Sequence, residues 1–209
     1  MYPGSLNTTS EMVGFYEGLR SAGVDQAIEV VQWATFLEHM FDPVGAQQRN
    51  GPRAQQEADR LAAVRRMNPD LPITLFGYSG GCWFATLVAE RLPAGVTIDR
   101  VILMSPAFDR AYDMTTALDR TSEGFVSFWS SGDDFTLEIR DIFSLADSTR
   151  GEPAATFGFP GDDPRLRQIA YDPAWEAYAH YGGHTDYVLL TDWIRDFVAP
   201  EVAVRPAAE

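Results

Sequence analysis

One cysteine, Cys82, stands in a chain of 209 residues. No disulfide can close within such a chain, so no disulfide framework holds the fold and cysteine usage leaves the compartment open. No apolar run approaches the roughly 18 residues of a membrane span. No basic segment followed by an apolar one opens the chain as a secretory signal would, so a cytoplasmic location without stable membrane insertion is expected. Positive charge is also scarce: 16 basic residues against 30 acidic ones give a net charge of −14. That field repels nucleic acid and anionic membrane surfaces. It does not exclude an apolar, lipid-like or ester substrate. Internal repeats and low-complexity tracts are absent. Histidines number three, so any histidine chemistry has few places to sit.

What is present is apolar and alternating. The composition is 45% hydrophobic and 12% aromatic, enough to bury a large core, and the length fits one domain over 1–209. Residues 8–21 read as a helix, with Thr8 and Glu11 at capping-box spacing and Met12, Phe15, Tyr16 and Leu19 on one face. Gly23 ends it. Residues 27–33, "AIEVVQW", read as a strand. A second helix is expected over 53–67, with Ala54, Ala58, Leu61 and Ala62 inward and a stop before Pro69. Strands follow at "ITLF", at 98–104 and at 124–129, with a helix over 81–92 and a short last strand over 167–171. Residues 107–123 read as a polar excursion, and 135–165 carry no clear period. Val188, Leu189, Trp193, Ile194 and Phe197 mark a C-terminal helix that Pro200 stops. Alternating helices and apolar strands imply an α/β fold: a mainly parallel sheet with helices on both faces. Ligands of such sheets bind at the carboxyl ends of the strands.

At one of those ends the chain reads Gly77-Tyr78-Ser79-Gly80-Gly81, between strand and helix. This is the G-x-S-x-G pattern, in which a serine occupies a strained turn and flanking residues without Cβ atoms admit close backbone approach. A serine hydroxyl is a weak nucleophile and needs a base, which in turn needs an orienting acid. His39 follows the strand at 27–33 and reads as structural. His180 and His184 lie in "AHYGGHTDY", before the last helix. His184, after two glycines and directly before the helix, is preferred over His180. Those glycines also break the helical register that a metal pair at i and i+4 would need. For the acid, Asp133 in "SSGDDF" is preferred, with Asp134 beside it and Asp109 after the preceding strand as alternatives.

The order Ser79, Asp133, His184 behind the G-x-S-x-G turn resembles the α/β-hydrolase superfamily, over about residues 3–199. The resemblance implies a serine hydrolase that cleaves carboxylic esters through an acyl-enzyme, without metal or organic cofactor. A thioesterase or acyltransferase with the same three residues, and a non-catalytic hydrolase-like binding protein, are the alternatives. It also implies an oxyanion hole: the Gly80 N–H at the start of the following helix, and a second donor in "YPGSLNTT", Ser5 with Leu6 next. There Pro3-Gly4 stand where the family has His-Gly.

Cys82 reads as a small buried residue, and Trp83 and Phe84 as packing. The stretch around Asp109 leaves little room for a large lid, so a shallow, open site is expected unless 135–165 folds over it. In this superfamily the oxyanion loop follows a central strand. Only Met1 and Tyr2 precede Pro3, too few for a strand of roughly 5–8 residues. The expectation is a truncated N-terminus; closure of the neighbouring strands, or a strand donated by another chain, are the alternatives. Acyl and alcohol preference and oligomeric state leave no mark in the sequence.

Overall fold

The computed structural model describes residues 1–5, 9–33 and 43–202, with side chains from residue 48 onward in the helix that begins at Pro43. Thr8, Leu6 and His39 therefore lie outside the described residues. Helix α1 (Val13–Ser21) follows a 3-10 turn, Thr9–Met12. Met12, Phe15 and Leu19 are buried as their spacing requires, and Gly23 leaves the helix at φ 82°. Tyr16 differs from expectation: it is exposed, with the Arg20 guanidinium over its ring. The inward face is instead shared with Gly14 and Gly18. A Cβ at either would stand 2.7 Å from atoms of Leu189 or Ile194, so the glycines set how closely the C-terminal segment approaches and turn Tyr16 outward.

Helix α2 (Pro43–Met67) starts ten residues earlier than the apolar period suggests and carries Pro52 within it. Its buried stripe is Ala54, Ala58, Leu61 and Ala62. Then come β1 (Thr74–Tyr78), α3 (Gly80–Glu90) and β2 (Arg100–Met104). A short α4 (Thr115–Leu118) interrupts the polar excursion, and β3 (Phe125–Trp129) follows. The stretch without a period contains α5 (Asp134–Ile142) and α6 (Ala154–Phe157), before β4 (Leu166–Ala170). The C-terminal helix is broken: α7 (Asp186–Leu189), α8 (Thr191–Trp193), then a π turn over Ile194–Val198.

The four strands lie in the order β1-β2-β3-β4, all parallel. Side chains alternate between faces with a period of two. Leu75, Val101, Leu103 and Phe125 pack on one face with α2 and α3 residues such as Ala58 and Phe84. Phe76, Ile102, Met104, Val126 and Phe128 pack on the other with Phe15, Leu19, Tyr187 and Trp193. Both faces are covered, which is why the strands read as continuous apolar runs.

Residues 27–33 do not form the expected strand. A strand needs a ladder along its length, and among the described residues the backbone of 27–33 bonds to the backbone of Met1 alone. Met1 O accepts from Val31 N–H at 2.9 Å, and the Met1 amino group donates to Glu29 O at 2.6 Å. On its other side Tyr2 donates to Phe76 O (2.8 Å) and accepts from Tyr78 N–H (3.1 Å), a single parallel bridge to Gly77. Met1 and Tyr2 thus occupy the slot between β1 and residues 27–33, and carry Pro3 and Gly4 directly to the carboxyl end of β1.

Candidate active site

At the end of β1 the chain turns sharply into α3 through Ser79, at φ 53° and ψ −122°. The turn is pinned by backbone bonds: Ser79 N–H donates to Met104 O (3.0 Å), and Ser79 O accepts from Cys82 and Ala107 N–H (3.1 and 3.2 Å). The glycines on either side have distinct reasons. A Cβ on Gly77 would stand 2.5 Å from Cys82 Cα, so the strand could not lie against the first turn of α3. A Cβ on Gly81 would stand 2.2 Å from Tyr2 O and 2.4 Å from Pro3 O, so the N-terminal loop could not reach the turn.

Three sequence-predicted residues meet here. His184 Nε2 is 2.9 Å from Ser79 Oγ, and His184 Nδ1 is 2.8 Å from Asp133 Oδ2. All three residues are buried. Asp133 Oδ1 faces the other way and caps α5, accepting from Thr136 N–H at 3.2 Å and from the Thr136 hydroxyl at 3.2 Å. Burial pushes the Asp133 carboxyl up, but hydrogen bonds and charge from His184, with the Ser105 hydroxyl and the Thr136 N–H, outweigh it. The carboxyl stays below its ordinary range. Asp134 is exposed in the first turn of α5. The Asp109 carboxylate accepts from Ala111 N–H in its own turn.

His184 sits between two rings, Tyr78 at 5.1 Å and Phe135 at 4.8 Å between centroids. Its loop is shaped by Asp186, whose Oδ2 accepts from Tyr181 and Gly183 N–H (2.8 and 3.0 Å). His180, four residues earlier, points into the core. It is enclosed by Tyr171, Trp175, Tyr187 and Trp193, and its Nδ1 accepts from Gly182 N–H at 3.1 Å. Burial lowers its pKa to about 4, so it is neutral at pH 7.

Sequence reasoning missed Ser105. It directly follows β2 at φ 52°, its hydroxyl donates to Asp133 Oδ2, and its Oγ lies 2.8 Å from His184 Nδ1. A lone serine before a proline at a strand end carries no pattern. Only the order of β2 beside β3 brings it to Asp133. Phe135 was missed for a similar reason, since α5 has no legible period around it.

The N-terminal loop closes the other side. Ser5 lies against Gly80, where a Cβ would meet Ser5 Oγ at 2.5 Å. Gly80 N–H is the first of α3 and has no acceptor within the helix by geometry. Trp33 Nε1–H holds Pro3 O at 2.8 Å, and Glu11 Oε2 accepts from Gly4 N–H at 3.2 Å. A cavity of about 470 Å³ opens above Ser79 and His184, in the size range of small-molecule sites. Phe135, Ile139 and the stretch 143–146 wall it, so part of 135–165, the stretch on which a shallow, open site depended, lies beside it. Cys82 lies wholly buried under the turn, its Sγ 3.1 Å from Gly77 O, and burial holds its thiol well above the ordinary value. Among the described residues, no group of three or more His, Cys, Asp or Glu is placed to hold a metal ion, and no helix is long and apolar enough to cross a membrane.

No protein-family model matches the chain, and no curated protein matches it by sequence. Among solved structures it is similar to one described as a predicted CIB-like hydrolase from Thermoplasma acidophilum. The match covers 96% of this chain and 83% of that one, with a TM-score of 0.50 and 13% identity. At that identity the likeness is one of fold: an α/β architecture of the hydrolase type.

Proposed function

We propose that the chain is a serine hydrolase of carboxylic esters, with Ser79, His184 and Asp133 as its catalytic triad. The observation that carries this reading is the continuous line of contacts Ser79 Oγ–His184 Nε2–His184 Nδ1–Asp133 Oδ2, at 2.9 and 2.8 Å, at the bottom of a cavity. Ser79 Oγ attacks the ester carbonyl while His184 Nε2 takes its proton. Asp133 fixes the tautomer that leaves Nε2 free to accept, and stabilises the imidazolium. The carbonyl oxygen becomes negative within reach of the Gly80 and Ser5 backbone N–H groups and the start of α3. His184 then protonates the leaving alcohol, activates a water against the acyl-enzyme, and returns the proton to Ser79.

A fluorophosphonate probe tests the reading, because it phosphonylates an activated serine. The wild-type protein is expected to be labelled at Ser79 and to hydrolyse p-nitrophenyl esters. Ser79→Ala and His184→Ala should fold normally, take no label and lose several orders of magnitude in turnover. His180→Ala should keep the labelling. Near-parental turnover in Ser79→Ala, or labelling at another residue, would sink the assignment.

A further inference from the structure

The wall of the cavity is chemically one-sided. Phe135, Ile139, Phe143, Leu145, Val188 and Leu189 supply apolar side chains around the space that leads to Ser79. Three of them also remain open at its rim: Phe135 is 49%, Phe143 40% and Leu189 54% exposed. Apolar groups gathered at the mouth of a cavity gain by being covered with apolar matter. No arginine is among the described residues that line it, and the chain has no lysine at all. Arg60, Arg65, Arg100, Arg110 and Arg165 pair with carboxylates elsewhere on the molecule. In the wall an acidic residue, Glu11, stands where a basic one would be needed to receive an anion.

An anion entering such a space gives up its water without a cation to replace it, which is among the costliest transfers in protein chemistry. From this we infer that the cavity takes the apolar acyl chain of an uncharged ester and refuses substrates that carry a carboxylate or phosphate into it. The inference deepens the hydrolase reading and rests on it for the word ester. The preference for an uncharged chain rests on the wall alone. It separates neutral acyl esters from acyl thioesters of phosphate-bearing carriers, whose phosphates need basic side chains at the mouth.

Two measurements separate this inference from the hydrolase reading. The first is binding to Ser79→Ala protein at pH 7.5, by calorimetry, of octanamide against the monoamide of suberic acid. The two ligands match in length and differ by a carboxylate at the far end of the chain. Octanamide is expected to bind, and the suberic monoamide about tenfold more weakly or not at all. Equal or tighter binding of the suberic monoamide, or no binding of octanamide at millimolar concentration, overturns the inference. Phe143→Arg places a cation at the rim and should shift the preference toward the suberic monoamide by about tenfold; an unmoved ratio also overturns it. The second measurement is hydrolysis by the wild-type protein of p-nitrophenyl hexanoate against the mono-p-nitrophenyl ester of adipic acid. Comparable rates on both defeat the charge preference and leave the hydrolase reading standing. No hydrolysis of either, with octanamide still preferred in the binding experiment, defeats the hydrolase reading and leaves the charge preference standing.

Discussion

Ser105 puts a second hydroxyl between Asp133 and His184, and its effect can be separated from that of the carboxylate. The hydroxyl donates to Asp133 Oδ2, where burial alone would raise the carboxyl. A hydrogen bond to a charged group contributes about 1.5–3 kcal/mol. In Ser105→Ala the carboxylate keeps His184 and Thr136, so the triad survives with a less well-held imidazole. The expected outcome is a kcat lowered by about tenfold with KM unchanged, since nothing in the substrate cavity is altered. A loss that appears in KM, or none at all, would reduce Ser105 to a structural residue. Asp133→Asn should be far worse, because the amide invites the wrong tautomer, while Asp134→Asn and Asp109→Asn should stay close to wild type. The contrast shows what was legible residue by residue. Ser79 announces itself through two glycines. Asp133 and His184 follow from the positions of strands along the chain. Ser105 has no local signal, because its partner is 28 residues away and reached only through the sheet.

At the scale of elements, the sequence marks what is locally periodic and misses what depends on a distant neighbour. The strands β1 to β4 and the inward stripe of α2 are written in their own residues. Residues 27–33 have the composition of a strand, yet among the described residues their backbone bonds to the backbone of Met1 alone, a partner 28 to 30 positions away that no local pattern marks, and no ladder forms. Tyr16 has the right spacing to be buried, but Gly14 and Gly18 bring the C-terminal segment to the helix's other side. The strand–Ser79–helix unit has its own test. In Gly81→Ala the new methyl meets the backbone oxygens of Tyr2 and Pro3 at 2.2 and 2.4 Å. Backbone held by Phe76, Tyr78 and Trp33 cannot yield cheaply. Urea unfolding should show a loss of about 1–3 kcal/mol, together with slower probe labelling as the loop carrying Ser5 is displaced. In Gly80→Ala the methyl clashes with the Ser5 hydroxyl, which can rotate away, and makes ordinary contacts at 3.5 Å with Ala146 and Trp33, so the stability loss should be clearly smaller. Equal losses at the two positions would show that the loop is not held where this packing puts it.

Across the whole molecule, the aromatic cluster on the second face of the sheet carries a titratable group in its centre. His180 is fully buried among four aromatic residues, and burial lowers its pKa from the ordinary 6.5 to about 4. The charged and polar groups that face it are few: Asp186 Oδ2 lies 3.8 Å from Nδ1, and Gly182 N–H donates to the same nitrogen. In the unfolded chain this imidazole takes a proton as pH falls below 6.5, while in the folded chain it resists until about 4. The unfolded state therefore binds more protons in that window, and stability falls as pH falls through it. Asp133 does not oppose the effect there. Its carboxyl is depressed in the folded state, so its contribution is present above the ordinary carboxylate range and is lost only at lower pH. Between pH 7.5 and 5 the His180 contribution to unfolding free energy should drop by about 2 kcal/mol. His180→Phe leaves the Gly182 N–H without its acceptor and should be less stable at pH 7.5, but it has nothing to protonate at this position. The measurement is the difference in urea-unfolding free energy between wild type and His180→Phe at the two pH values. That difference should narrow by about 2 kcal/mol on acidification. A gap that stays constant with pH would mean that the folded chain protonates His180 as readily as the unfolded one, and a gap that widens on acidification would mean that the aromatic cluster holds a cation where the packing indicates a neutral ring.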